Sequence, residues 1–570
     1  MEDRLQTLEE LYEILRSKNE TVAMDIFRRI RAGDDAGTIL RYLKDGDLLL
    51  QISLVPESWY RYTFPYSDEI PSVLLQHNNN PYLESAIYKW STERPETERR
   101  QSEPRDDLSD YQTQYMVPYH AARLVDHRID KSMPSKWTIV TSNEELLREL
   151  LNIYFLFEYS AHPFFNKDFF LDDLISGRER FCSSLLVNVI LAAGCADLVM
   201  SLTCNMNGID KVGWSYLLQA LALSEQMELF EVPPATTSRE MRVARANTAW
   251  AVFCWQAAYC FHFFHPPLVK QPPRDLMPDP SQVPKWYPES WIMYPTNKNP
   301  IRIHHAYYIK AMAEFRVIMN DISTAAFPQP SKPEKLSLKQ TWSFYGRLKY
   351  WYHNLPASLS VQNAVLPFQL LQHMHYFNVV LCLFEPFVTT NQSDKENDKD
   401  KVEEESPEQV LLNTKIRLET VWRLYYLRHG FDSYDPFMLQ VQIVLGFMSC
   451  KALSGPEPPS QQAELFRSTM VLAGKGMYCQ AKNCFLAETT FRLFRHTLGA
   501  ENARLLKDYG DIIDEDSQEK KEAIANQVRS QFPINIVNIA ESPENYRVDN
   551  LIAAFQEAGL WDDTEEEVLN

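Results

Sequence analysis

Between residues 140 and 510, apolar residues recur three and four positions apart, and no stretch sustains the period-two alternation of a half-buried strand. Ser142-Asn-Glu-Glu145 reads as a capping box. It opens a helix of about four turns that carries Leu146, Leu147, Leu150, Leu151, Tyr154 and Phe155 at helical spacing. The same reading predicts helices over about 181–195, 211–229, 240–263, 302–322, 338–354, 366–388, 410–428, 435–453, 461–483 and 487–507. The expected fold class is therefore all-α, with a multi-helical body over 137–510.

Three other regions flank or interrupt that body. Residues 1–50 read as three short helices. In the first, Leu5, Leu8, Tyr12 and Leu15 follow 3-4-3 spacing and form a coiled-coil-like stripe suited to dimerisation, with a surface helix packing in cis as the competing reading. The second, about 20–32, is expected to bury Val22, Ile26 and Ile30 and to stop at Gly33. Residues 51–136 read as a linker with short helices, polar and proline-interrupted from 91 onward. Eight prolines between Pro266 and Pro288 exclude helix there and predict a long loop, functional or packed on the surface. The insertion 391–408 mixes both charge signs at low complexity and reads as disordered. The tail 511–570 sets Leu551, Phe555, Leu560 and Trp561 among carboxylates, a composition suited to docking on coactivators, with a frayed amphipathic helix as the alternative.

Composition narrows the chemistry. The formal charge is −19 over 570 residues, which disfavours direct nucleic-acid binding. Sixteen glycines against 34 prolines disfavour Gly-rich phosphate loops. The first twenty residues lack the apolar core of a secretory signal. The uncharged run Ala246–Val269 has the length of a membrane span, but its Asn247, Gln256, His262, His265 and Pro266–Pro267 favour a buried helix, so no membrane role is expected. The nine cysteines are scattered and core-like, with no Cys-x-x-Cys. No nucleotide, hydrolase or zinc-protease motif is present. His262-x-x-His265 and His373-x-His375 lack suitably spaced carboxylate or thiolate partners and read as aromatic-core packing. Asp172-Asp173 resembles the start of an aspartate-rich prenyl-diphosphate motif, but the third acid is missing, which leaves a capping or solvent-exposed role. No catalytic, cofactor or metal residue is assigned, and no deep cavity ringed by ionisable groups is expected.

Several stretches, in order, resemble the regulatory (middle-homology) domain of fungal binuclear zinc cluster transcription factors, of the nitrate-assimilation or xylanolytic-activator type. They are Trp137-Thr-Ile-Val140 with residues 146–195, including His162-Pro-Phe-Phe165; Gly208 to Ala220 around Trp214; Ala249-Trp to Trp255-Gln256; and Trp351 to Leu355-Pro356 followed by His373 to Phe387, with Glu385 where the family usually has Arg. The N-terminal segment is similar to regions that follow the zinc cluster in such regulators. The resemblance implies a nuclear, non-enzymatic regulator of RNA polymerase II genes. It implies a homo- or heterodimer with a zinc-cluster relative, and coactivator or corepressor partners. Family members bind two zinc ions through six N-terminal cysteines, whereas the first cysteine here is Cys182. The chain is therefore expected to begin just after that module and to reach DNA indirectly or through an upstream module. The stretch between Cys195 and Gly208 is also short for the family. The competing classes are an α-helical interaction scaffold and an all-α prenyl-diphosphate enzyme.

Overall fold

A computed structural model of the chain describes most of residues 62–92, 119–191, 201–388, 405–512 and 528–557, together with Arg16, Ile26, Phe27, Ile30, Arg31, Ala36 and Ile39. Two compact units emerge: one formed by residues 1–60, 94–122 and 293–301, the other by 61–93, 123–292 and 302–570. In the first, the described positions before residue 40 are helical; Ile26 and Ile39 are buried, but Ile30 is 42% exposed, contrary to expectation. Ile26 and Ile30 are four residues apart and share a stripe, of which Ile26 is buried and Ile30 is not.

The second unit is built from helices, as the apolar spacing predicts. Several begin at a side chain that satisfies otherwise unpaired N–H groups. Asn143 accepts from the Leu146 amide at 3.2 Å and opens Glu144–Leu156, one residue later than the capping box read from Ser142. Ser337 and Gln340 form a reciprocal capping box for Leu338–His353. Asp435 accepts from the Phe437 and Met438 amides at 2.8 and 2.9 Å and opens Pro436–Leu453. The expected helix over 487–507 is two helices, Phe485–His496 and Ala500–Gly510, broken at Thr497–Gly499. Glycine at 499 favours that break. The sequence pattern also misses three very short strands, Arg123–Leu124, Trp291–Met293 and Ile301–Arg302, which form a sheet in that order. Two or three residues are too few for alternation to register.

The C-terminal half packs Pro367–Val388, Pro407–His429, Pro436–Leu453 and Ser460–Ala481 around fully buried Trp422, Leu424, Val441, Met470 and Phe494. Each such side chain contributes roughly 1.5–3 kcal/mol on burial. Pro436–Leu453 is apolar enough to cross a membrane by length and composition, yet 67% of it is buried inside the protein, as suits a core helix. Residues 246–262 are likewise helical core. Part of the expected linker joins this body: Asn80 donates to Thr420 at 2.8 Å, and Ala86–Thr92 packs on Pro407–His429.

The proline-rich segment after His262 is ordered and fastened from below. Gln256 donates to Asn320 at 2.8 Å and accepts from the Leu268 amide at 3.1 Å, while Asn320 donates to the Val269 carbonyl at 3.1 Å. The helix Arg239–His262 ends without glycine. Phe264 adopts a left-handed backbone (φ 58°), and the His265 amide donates back to the Cys260 carbonyl at 2.8 Å. A bulky residue in that conformation costs on the order of 1 kcal/mol, which burial of Phe263 and Phe264 offsets.

Candidate functional site

That strained turn directs the two histidines of the 262/265 pair to different places. His265 stacks on Trp214 with ring centroids 5.0 Å apart. His262 instead faces a cavity of about 110 Å³. The 373/375 pair divides in the same way. His373 is fully used, with Nδ1 2.7 Å from Tyr82 Oη and Nε2 2.8 Å from the Leu359 carbonyl. His375 turns into the cavity, its ring stacked on Phe437 at 3.3 Å and 6.3 Å from that of His262. A third histidine, His162, arrives from the turn after Glu158–Ala161, edge-on to Trp255 at 5.6 Å.

The cavity walls come from six helices and from Phe532 near the C-terminal end. Arg316, on His305–Ala326, separates this space from a second cavity of about 70 Å³; Arg316, His162 and Tyr308 line both. Arg316 is 7% exposed. Among the described residues its one hydrogen bond goes to Met319 Sδ at 2.9 Å, and no carboxylate pairs with it. Asp435 also lines the cavity, but its Oδ1 is engaged as the cap of Pro436–Leu453.

The electrostatics follow from burial around one fixed cation. Burial, reinforced by Arg316, pushes His162 down to about 4 and His262 down to about 3, and holds His375 well below its ordinary range. All three imidazoles are therefore neutral at pH 7. Among the described residues each keeps a ring nitrogen without a hydrogen-bond partner: Nδ1 of His162, Nε2 of His262 and Nδ1 of His375. Asn205 Oδ1 and Gln440 Oε1, on the same walls, are also unpartnered. Five orphan polar atoms around one space are unusual, since buried polar groups are normally paired. Burial pushes the neighbouring Cys254 thiol up to about 12, so it is not a ready nucleophile. A larger concavity of about 600 Å³ lies beside Tyr350 and Trp351, but none of these orphan atoms lines it.

His262 and His375 do pack among aromatic rings, as the sequence suggests, and both also line an internal space that the sequence does not reveal. The contributing residues lie up to several hundred positions apart, so only tertiary structure assembles them. Arg316 and Asp435 escaped sequence reasoning altogether. The one available signal was Arg316 within the apolar run Phe315-Arg-Val-Ile-Met319. Asp172 and Asp173 diverge as well. Asp172 pairs with Arg128 at 3.1 Å, while Asp173 is 2% exposed, pairs with Arg178 and accepts from the Phe181 amide. They anchor a turn and are not two acids facing a common space. Among the described residues no two cysteines are joined in a disulfide, and no three His, Cys, Asp or Glu side chains are placed to hold a metal ion. Leu5, Leu8, Tyr12, Leu15, Leu560, Trp561 and the side chain of Phe555 lie outside the described residues.

The homologues of this chain are transcription factors. Over 356 residues, 52% of the chain, it is 22% identical to the nitrogen assimilation transcription factor nirA of Emericella nidulans, matching 39% of that protein. It is 22% identical over 359 residues to nit-4, the nitrogen assimilation transcription factor of Neurospora crassa, matching 32% of it. It is 22% identical over 306 residues to notL', a notoamide biosynthesis transcriptional activator of Aspergillus versicolor, matching 48% of it. These homologues are fungal factors of the binuclear zinc cluster type, as the sequence resemblance indicates. The matches span about a third to a half of these relatives' lengths and about half of this chain. No protein-family profile matches the chain, and no solved structure does.

Proposed function

We propose that this chain regulates transcription of RNA polymerase II genes in the nucleus. Its helical body acts as a non-catalytic regulatory hub. The observation that carries this reading is the match of half the chain to transcription factors in two fungi. The site supports binding over turnover, because its histidines are neutral and its nearest thiol is held protonated. In this reading residues 1–50 pair with a second copy or a zinc-cluster relative through Leu5, Leu8, Tyr12 and Leu15. The acidic tail docks on coactivators or corepressors through Phe555, Leu560 and Trp561. DNA is reached through a partner's DNA-reading module or one joined to this chain.

Tethering the full chain to a heterologous DNA-binding module beside a reporter gene tests the proposal. Reporter output should change several-fold relative to the module alone, and the change should shrink when Leu560 and Trp561 are both replaced by Ala. Unchanged output would sink the regulatory reading. Sedimentation of the full chain tests the pairing segment: Leu8→Asp with Leu15→Asp should convert a dimer to a monomer.

A further inference from the structure

We propose that the cavity beside Arg316 binds a small organic monocarboxylate with a flat apolar body, the carboxylate pairing with Arg316 and the body lying against Trp255, Tyr308 and Phe437. This rests on the cavity and not on the transcriptional reading above.

The argument starts from charge. A guanidinium 7% exposed, with one sulfur as its hydrogen-bond partner, is costly to bury unless an anion completes it. The protein elsewhere supplies such anions: Arg423, also buried, has Glu419. At Arg316 no counter-charge is supplied among the described residues, while the space for it is present. One cation calls for one negative charge, and a planar fork suits a carboxylate. A dianion such as phosphate would bring a second negative charge that the single Arg316 cannot balance, while burial already pushes the Asp435 carboxyl toward its neutral form. A metal cation is opposed by Arg316 itself. The orphan nitrogens of His162, His262 and His375 add neutral hydrogen-bonding sites at the rim of that charge. The remaining wall is apolar and half of it aromatic, Trp255, Tyr308 and Phe437 included, which favours a flat apolar body. A cavity near 110 Å³ is smaller than the ~150 Å³ void that accepts one benzene, so a ring with its carboxylate must also draw on the space of about 70 Å³ that Arg316, Trp255 and Tyr308 line as well. A ligand here would touch helices from both halves of the second unit and Phe532, so its occupancy would be felt across the body.

Benzoate, benzyl alcohol and inorganic phosphate serve as probes on the full chain, read by thermal unfolding and by tryptophan emission, to which Trp255 reports directly. Benzoate should bind saturably, benzyl alcohol roughly ten- to a hundredfold more weakly, and phosphate not at all. Arg316→Met should cost benzoate that same factor and leave benzyl alcohol unchanged. Ala258→Phe, which fills the space without altering charge, should abolish binding of both. Photolabelling of the unaltered chain with 4-azidobenzoate makes the test independent of variant folding, and label should fall within 255–263, 308–316, 371–375 or 435–440. Equal affinity for benzoate and benzyl alcohol, phosphate binding as tight as benzoate, benzoate affinity unaffected by Arg316→Met, or label confined to other segments would each overturn the proposal.

Discussion

Two buried arginines in this body show opposite solutions to one problem. Arg423 is wholly enclosed, yet its guanidinium donates to Glu419 at 3.0 and 3.1 Å, to Ser468 at 3.2 Å and to Thr469 at 2.9 Å, and it lies 5.2 Å from the centre of the Phe64 ring. Thr469 in turn donates to Glu419. Four hydrogen bonds, one carboxylate and one aromatic ring thus surround this guanidinium. Arg316 has comparable burial, one thioether as acceptor, and a cavity on either side. The first arrangement is complete within the chain and serves stability. The second is incomplete among the described residues, which is the condition for binding something from outside it.

The contrast is tested hardest at the complete site. Glu419→Ala strands the Arg423 charge inside the bundle and should destabilise the protein by about 3–5 kcal/mol. Urea unfolding of purified protein measures this. A loss under about 1 kcal/mol would mean that Ser468, Thr469 and solvent suffice for Arg423, and the contrast with Arg316 would lose its force.

The network that fastens the proline-rich segment should show the next largest effect. Gln256→Leu leaves the Leu268 amide and the Asn320 carboxamide without their partner, at a cost of about 2–3 kcal/mol. Proteolysis within 266–288 should accelerate, because the loop loses its anchor near the cavity. Unchanged cleavage and stability would show that Asn320, which donates to the Val269 and Lys270 carbonyls, and the aromatic contacts hold the segment without Gln256.

These two sites also show what the sequence could and could not reveal. The helices of the C-terminal bundle were legible because apolar spacing over fifteen to twenty residues is a strong signal. Ser337-x-x-Gln340 and the prolines at 407 and 436 mark helix starts by local chemistry. The Arg423–Glu419 pair, four residues apart on one helix, is readable in principle. The cavity was not. His262 and His265 sit three residues apart, yet the left-handed Phe264 between them sends one inward and the other onto Trp214. Arg316 reads in sequence as one more charge on an amphipathic helix, and its isolation exists only once six separate helices meet.

The acid pair near the cavity gives a smaller, pH-dependent effect. Burial first, and then repulsion from Asp435, pushes the Glu158 carboxyl from an ordinary 4.5 up to about 7. Between those values the folded chain holds a proton that the unfolded chain has released. Its contribution is therefore fully present below about pH 4.5 and is lost as pH rises to about 7, on the order of 1–2 kcal/mol after allowance for partial exposure. The neutral histidines act with the opposite sign between about 3 and 6.5, because acid charges them only in the unfolded chain. The difference between the unaltered chain and Glu158→Gln isolates the carboxyl. That difference should vary across pH 4.5–7 and level off outside it; a flat difference would place Glu158 in solvent.

The smallest effect is expected where a charge is removed from the incomplete site. Arg316→Met deletes an unpaired buried cation, keeps much of the side-chain volume and leaves no protein carboxylate stranded, so stability without ligand should change by less than about 1 kcal/mol or rise. This inverts the outcome at Glu419, although both substitutions break into a buried arginine site. The two unfolding curves, measured side by side without added organic acid, separate a residue that holds the fold from one that waits for a counter-ion. A loss at Arg316→Met as large as that at Glu419→Ala would show that Arg316 is stabilised by groups of the chain itself. The cavity would then be a packing gap and not a binding site.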